Sequence, residues 1–319
     1  MSAAAKVWAT VILIILLALI FLLIGSDLDF DYLIPKRLMR LATIVLGSIC
    51  LAFSSIIFQT IVGNRILAPS IMGYEAVYLL WQVLLLFVMG TNGLMLLGVS
   101  GDFIVSIVSI VLMLAYSWAL HHWLFPRCKN DVYTLLLFGL VLTMVIGTVT
   151  QFIQLRISPG EFSVFQGLSY TSFHRSQPET LFYGALAVAT VLWVSRKTLP
   201  VLDVMALGRE PSLSLGVNHP RYVKLYLALI AILVAVSTSL IGPTVFMGVF
   251  IANIAYALAG SNQHRVTLPI ACAITIAIFL VAQIFVEHVF NYKTSVSILV
   301  NLVGGIYFLA LTVRTRGFT

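Results

Sequence analysis

Charge is what this sequence has least of. Only 9% of its 319 residues are Asp, Glu, Lys or Arg, against roughly 25% in a soluble domain. A chain this poor in charge could not cover a water-facing surface, so the bilayer must be its solvent. Cysteine is scarce as well. Cys50, Cys128 and Cys272 lie far apart, two of them inside apolar blocks, which indicates neither a disulfide framework nor a metal site. No Gly-x-x-x-x-Gly-Lys-Ser/Thr is present, so the chain cannot hydrolyse ATP through a P-loop by itself, and there is no His-Glu-x-x-His or Gly-x-Ser-x-Gly. The adjacent pair His121-His122 has no carboxylate or thiol at helical spacing and reads as interfacial. The net charge is +7, yet no Lys/Arg run is interleaved with aromatics, so nucleic acid is not an expected partner. Strands alternating polar and apolar over about ten residues are missing too, which excludes a β-barrel.

What is present is apolar length. Hydrophobic residues make up 61% of the chain and mean hydropathy is +1.08. Leu, Ile, Val and Phe recur in blocks of about 20, long enough to cross roughly 30 Å of hydrocarbon as helices. The blocks predict an all-α, polytopic membrane protein with about ten spans: 7–25, 41–62, 71–90, 102–124, 132–155, 179–194, 222–241, 244–260, 268–288 and 294–313. The first block lacks the small-residue cleavage site of a signal peptide and is expected to be retained. Longer connections fall at 26–40, 156–178 and 195–221, none with room for a soluble domain, so 1–319 reads as one transmembrane domain. With the N-terminus inside, twelve Lys and Arg fall on the cytoplasmic side and six outside (Lys36, Arg37, Arg40, Arg156, Arg175 and Lys293). The positive-inside rule then places both termini in the cytoplasm.

Gly/Pro interruptions occur in comparable places, at 64–73 after the second span and 242–248 after the seventh. Paired interruptions point to a transporter with internal repeats, here 41–155 and 222–313. Arg37 and Arg40, three apart at the start of the second span, share a face. They either anchor to headgroups or dock an acidic partner outside. The acidic residues at membrane depth or its edge are Glu75, Asp102 and Glu287, all near span ends, where local structural roles compete with functional ones. Amides within spans, Gln59 and Asn253 among them, either pair with neighbouring helices or line a path. The connection 195–221 carries Leu207, Leu213 and Leu215, with Val204 and Met205, on short helices broken at Gly208 and ended at Gly216. Such a face either lies flat on the membrane or is covered by a soluble partner docking from the cytoplasm.

At these residues the chain resembles the iron–siderophore and cobalamin (FecCD-type) permeases of ATP-binding-cassette importers, a type II importer fold. The family's Arg-x-Pro-Arg element reads Arg37-Leu38-Met39-Arg40. Its Gln-x-x-x-Arg-Asn-Pro-Leu-Ala-x-Pro-x-x-Leu-Gly segment is matched from Gln59 to Gly73, keeping Gln59, Asn64, Pro69 and Gly73, in wording similar to a catecholate-siderophore subgroup. Its Gly-x-x-x-Phe-Val-Gly-Leu element spans Gly242 to Val249, with Pro243 and Gly248, but Ala252-Asn253 replaces the Pro-His that follows. The cytoplasmic segment is kept as Ala206-Leu207-Gly208 and Leu215-Gly216-Val217, which in the family contacts the ATPase. Glu287 stands where the family often has an Arg, a departure that suits pairing with a different permease.

The resemblance implies a non-catalytic permease subunit in a bacterial inner membrane, without a cofactor, that moves ferric siderophore. The implied partners are a second permease subunit in a probable heterodimer, a cytoplasmic P-loop ATPase dimer on Ala206, Leu207, Gly208, Leu213, Leu215 and Gly216, and a periplasmic or lipid-anchored binding protein on Arg37 and Arg40. Gln59, Asn64, Pro69, Gly73, Gly242, Pro243, Gly248 and Asn253 would form the path or its structural frame. The alternative is a secondary transporter driven by an ion gradient, for which intramembrane ion-coupling residues are sparse.

Overall fold

The structure is a computed structural model that describes residues 3–24, 33–127, 132–244, 247–261 and 263–316, without the side chains of 3–9, 11, 92–102 and 308–316. Cys128, Lys129, Val245 and Phe246, and the side chains of Lys6, Asp102, Arg314 and Arg316, lie outside the described residues.

Every regular element among the described residues is helical: α1 Ala3–Leu23, α2 Leu33–Val62, a 3-10 turn Pro69–Met72, α3 Tyr74–Ala119, a π turn Leu120–Leu124, α4 Phe125–Arg127, α5 Val132–Gln154, α6 Pro159–Leu168, α7 Pro178–Met205, α8 Arg209–Ser214, α9 His219–Ile241, α10 Met247–Ala259, α11 His264–Ile284, a π turn Phe285–Val289 and α12 Val296–Arg316. Among the described residues, seven stretches are long and apolar enough to cross a bilayer: Leu33–Val62, Tyr74–Thr91, Phe103–Arg127, Val132–Gln154, Pro178–Met205, His219–Ile241 and His264–Val289. Three shorter apolar stretches are Ile12–Leu23, Met247–Ala259 and Val296–Tyr307. The chain is a multi-pass membrane protein.

Four boundaries differ from the sequence reading, each for a local reason. Helix α2 starts at Leu33, not 41, because Pro35 sits in its first turn, where a missing N–H costs no intrahelical bond. Arg37 and Arg40 are therefore inside the helix. The connection 156–178 contains α6, nucleated by a capping box: Glu161 N donates to Ser158 Oγ at 3.3 Å and Ser158 N to Glu161 Oε2 at 2.8 Å. Arg175 closes the other end of α6, donating to the carbonyls of Leu168 and Tyr170 at 3.1 and 3.0 Å and to that of Gly167. Helix α7 runs past Pro200 to Met205, so 195–205 is not loop. Leu202 and Met205 are buried there, and Tyr226 Oη donates to Thr198 O at 2.8 Å, which holds the turn the proline weakens. The predicted loop at 91–101 is replaced by continuous helix, and Gly90 (φ 66°), at the end of the stretch Tyr74–Thr91, departs from regular α geometry.

At the centre, α2 and α9 pack against each other, with α3, α7 and α11 around them. Lipid is as apolar as leucine, so helices in a bilayer associate through close packing. Gly47 on α2 provides it: a Cβ there would lie 3.0 Å from Cγ2 of Ile241 on α9. Gly184 on α7 similarly faces Val236 at 3.2 Å. Gly47→Val should lower the stability of the detergent-purified chain by about 1–3 kcal/mol through overpacking. Ile241→Ala in the same chain should recover part of that loss in thermal unfolding.

Candidate functional site

Both breaks follow a long central helix. The first begins at Gly63. Asn64 Oδ1 accepts the Ile66 N–H at 2.9 Å, Pro69 opens the 3-10 turn, and Gly73 (φ 87°) ends that turn and starts α3. A Cβ on Gly73 would approach Tyr116 Oη to 2.7 Å and Thr143 Oγ1 to 2.9 Å. The Tyr116 hydroxyl donates to Met72 O at 2.8 Å, and the Thr143 hydroxyl shares its proton between Gly139 O on its own helix (2.7 Å) and Ile71 O (3.2 Å), so two neighbouring helices cover the first break and only glycine leaves them room. The second break begins at Gly242, whose N–H donates to Thr238 O at 2.9 Å, and Pro243 O accepts Thr171 Oγ1 at 2.7 Å.

The two breaks are tied to each other reciprocally. Glu75, in the first turn after the first break, accepts at Oε1 the N–H of Thr244 (2.9 Å) and its hydroxyl (3.1 Å) in the second. Asn253, on the helix after the second break, donates through Nδ2 to Arg65 O in the first (3.0 Å) and to Val249 O (2.8 Å). A cavity of about 10 Å³ lies between α2, α9 and both breaks, lined by Ser55, Glu75, Ser237, Thr244 and Gly248 among others. That is room for about one water molecule. The hydroxyls of Ser55 and Ser237 are buried there without a hydrogen-bond partner among the described residues. A Cβ on Gly248 would collide with Ser55 Oγ. Gln59 lies one turn further along α2, 2% exposed, with both amide atoms unpartnered among the described residues.

A second cluster sits at the end of the bundle where α2 begins. The resemblance makes Arg37 and Arg40 a docking pair, but the structure separates them. Arg37 is 5% exposed. Its Nη1 donates to the carbonyls of Phe21 (3.0 Å), Leu22 (3.3 Å) and Ile24, the orphan acceptors at the end of α1. Its Nη2 donates to Glu287 at 3.3 Å. Arg37 thus ties α1, α2 and the α11 end together through buried bonds. Arg40, with a side chain 22% exposed, is held more loosely, 3.8 Å from the other oxygen of Glu287. Asn291 (φ 45°) and Tyr292 (φ 60°) make the left-handed turn beside this cluster, and His174 stands edge-on to Tyr292 with ring centres 5.5 Å apart. Lys36 is exposed nearby.

The third cluster is at the opposite end, since the 30 residues of α2 span about 45 Å. Here α7 stops at Ala206, the chain turns at Gly208, and α8 leads to a second turn at Gly216. Leu207, Leu213 and Leu215 are exposed (62%, 43% and 62%), whereas Met205 is buried and belongs to the core instead of the expected apolar face. Next to it, Asp203, His264 and Thr60 form a hydrogen-bonded series that sequence reading did not single out. Among the described residues no three His, Cys, Asp or Glu converge as a metal site.

Two substitutions separate the arginines. Arg37→Ala should cost roughly 3–5 kcal/mol, because it strands three helix-end carbonyls and leaves the mostly buried Glu287 carboxylate with the more distant Arg40 alone. Arg40→Ala should cost about 1 kcal/mol or less. Thermal unfolding of the detergent-purified variants measures both. Gln59→Leu, which removes a buried amide with no partner among the described residues, should raise the melting temperature.

The chain matches the FecCD transport family over residues 7–314. It is 34% identical over 287 residues to the petrobactin import system permease protein YclO of Bacillus subtilis (strain 168), covering 90% of each chain. It is 24% identical over 330 residues to the petrobactin import system permease protein YclN of the same organism, covering 96% of this chain and 98% of that one. Its fold matches a chain solved in an inward-facing conformation and described as a metal-chelate type ABC transporter, with TM-score 0.83, 19% identity and coverage of 98% and 99%. Matched by the family over residues 7–314 and by a relative at 34% identity across 90% of its length, the chain belongs to the FecCD transport family.

Proposed function

We propose that this chain is one permease subunit of an ATP-driven importer that carries a ferric siderophore, with catecholate groups favoured, across a bacterial inner membrane. The observation that carries this reading is the family match along the whole chain together with the two ends of the bundle. One end presents Arg40 and Lys36, the other three exposed leucines on a turn–helix–turn. The relatives named for petrobactin support an iron chelate as cargo. That two such permeases occur in one organism, with this chain closer to one of them, supports a heterodimer. The comparisons lend no support to a carrier driven by an ion gradient.

In this reading ten spans place both termini in the cytoplasm, and 41–155 and 222–313 act as repeats whose breaks frame the path. The path runs between the two permeases. Thr148 and Gln151 on α5 support this, being three residues apart and exposed on a membrane-spanning helix. Polar groups facing lipid are costly, so that face suits a partner subunit or a wet path. An ATPase dimer covers Leu207, Leu213 and Leu215, and a binding protein brings acidic side chains to Arg40. Nucleotide and cargo then bias the same two states of the permease pair.

Leu213→Asp, on the exposed face of α8, should abolish co-purification of a P-loop ATPase with the permease pair while the pair still assembles. An ATPase that remains bound to the variant would remove Leu213 from the docking face. Arg40→Glu should weaken the binding of the cargo-loaded binding protein to the reconstituted transporter by about 10-fold or more, as loss of a close interfacial charge pair does. Unchanged affinity would put docking elsewhere.

A further inference from the structure

Helices α2 and α11 are antiparallel and packed along their length, and polar side chains pin them together at both ends. At the end near Ala206, Asp203 closes α7 and reaches across to the first residue of α11. Its Oδ1 accepts the backbone N–H of His264 at 2.9 Å and lies 2.6 Å from His264 Nδ1. A carboxylate only accepts, so Asp203 fixes a proton on Nδ1. It also places its charge at the positive end of the α11 dipole. His264, 2% exposed, meets Thr60 on α2 through Nε2 at 2.8 Å. With the proton on Nδ1, Nε2 accepts the single proton of the Thr60 hydroxyl, whose alternative acceptor is Ile56 O at 2.9 Å, and Thr60 lines a cleft of about 300 Å³ that Ala206, Gly208 and Arg209 also line. At the other end, Glu287, in the π turn that prolongs α11, sits between Arg37 and Arg40 of α2.

The consequence is mechanical. Displacement of the α7 end cannot occur without either breaking two bonds at Asp203 or moving the start of α11. The start of α11 cannot shift relative to α2 without breaking the His264–Thr60 bond. About 30 Å away, a shift of the pair changes where Glu287 stands against Arg40. We infer that Asp203, His264 and Thr60 are positioning residues that lock α7, α2 and α11 into one strut, transmitting motion of the ATPase-facing turn to the Arg40 end. This rests on the assignment of Ala206–Gly216 to the ATPase and of Arg40 to the binding protein. It adds residues that neither partner touches, joined by a physically continuous network.

The experiment uses the complete transporter in liposomes: both permeases, the ATPase and the binding protein. ATP hydrolysis is measured with and without cargo-loaded binding protein, alongside direct measurement of ATPase co-purification and of binding-protein affinity. In the parent, binding protein should stimulate hydrolysis. Thr60→Val keeps the shape of the side chain but cannot bond His264, and Asp203→Ala removes the link to α11. Both should keep the ATPase bound and hydrolysing while stimulation falls about 5-fold or more, the lower range of coupling between sites. Thr60→Ser, which restores the hydroxyl, should restore stimulation, a rescue that a loss of packing would not predict. Stimulation of the Val and Ala variants equal to the parent, with partners bound, overturns the strut and leaves the docking assignments standing. Failure of the parent to bind either partner overturns those assignments and the strut with them.

Discussion

A backbone amide or carbonyl has no water to turn to inside a bilayer, and each one left bare costs several kcal/mol. Two interruptions of the helical ladder within a membrane domain persist where other parts of the chain supply what the ladder no longer does. Here the supply is mutual. Glu75, just after the first break, serves the N–H and hydroxyl of Thr244 in the second, and Asn253, just after the second, serves Arg65 O in the first. Tyr116, Thr143 and Thr171 cover carbonyls that neither can reach. Neither half can open its break without releasing a group in the other. The packing of α2 against α9, the glycines at 73 and 248 and the small polar cavity all follow from keeping the two breaks in reach of each other.

The remaining polar groups are arranged at the two ends, and they differ in character. At the arginine end the bonds are charged. Arg37 satisfies the carbonyls that close α1, and one carboxylate is shared between two guanidinium groups at unequal distances, 3.3 and 3.8 Å. At the opposite end the bonds run through His264 between a carboxylate and a hydroxyl. Burying charge in the first case is tolerable because Arg37 donates to three carbonyls and a carboxylate among the described residues. Among the described residues Arg40 has no such bonds to carbonyls, which leaves it the member of the pair able to exchange one carboxylate for another.

How much of this was legible in the sequence depended on whether the signal was local. Hydrophobic blocks place the membrane stretches because each block carries its own length. The breaks are visible because glycine and proline announce them, and the turn–helix–turn from Gly208 to Gly216 is visible for the same reason. Helix α6 was equally legible and was missed: Ser158, Pro159 and Glu161 spell a capping box with proline at the first helical position. Pro200 misleads, because what carries the helix past it is Tyr226, 26 residues away, and no local pattern encodes that bond. The continuity of α3 past Gly90 misleads similarly. The contacts between Glu75 and Thr244, 169 residues apart, and between Asp203 and His264, 61 apart, lie wholly outside what spacing reveals.

Glu287 shows how a departure from a family pattern acquires meaning only in three dimensions. In sequence it reads as the loss of a positive charge from a docking set. In space it is the carboxylate that lets a buried Arg37 and a half-exposed Arg40 stand three residues apart on one helix face without repelling each other. An arginine at 287 would place a third positive charge against Arg37 at a depth where the side chain is 7% exposed, and the carbonyls of α1 are already engaged. The local fold of this end, with α1 held by Arg37, therefore requires an acid there. The cost is that Arg40 is not unencumbered: with Glu287 3.8 Å away, it can meet a further carboxylate only by exchanging this one for it.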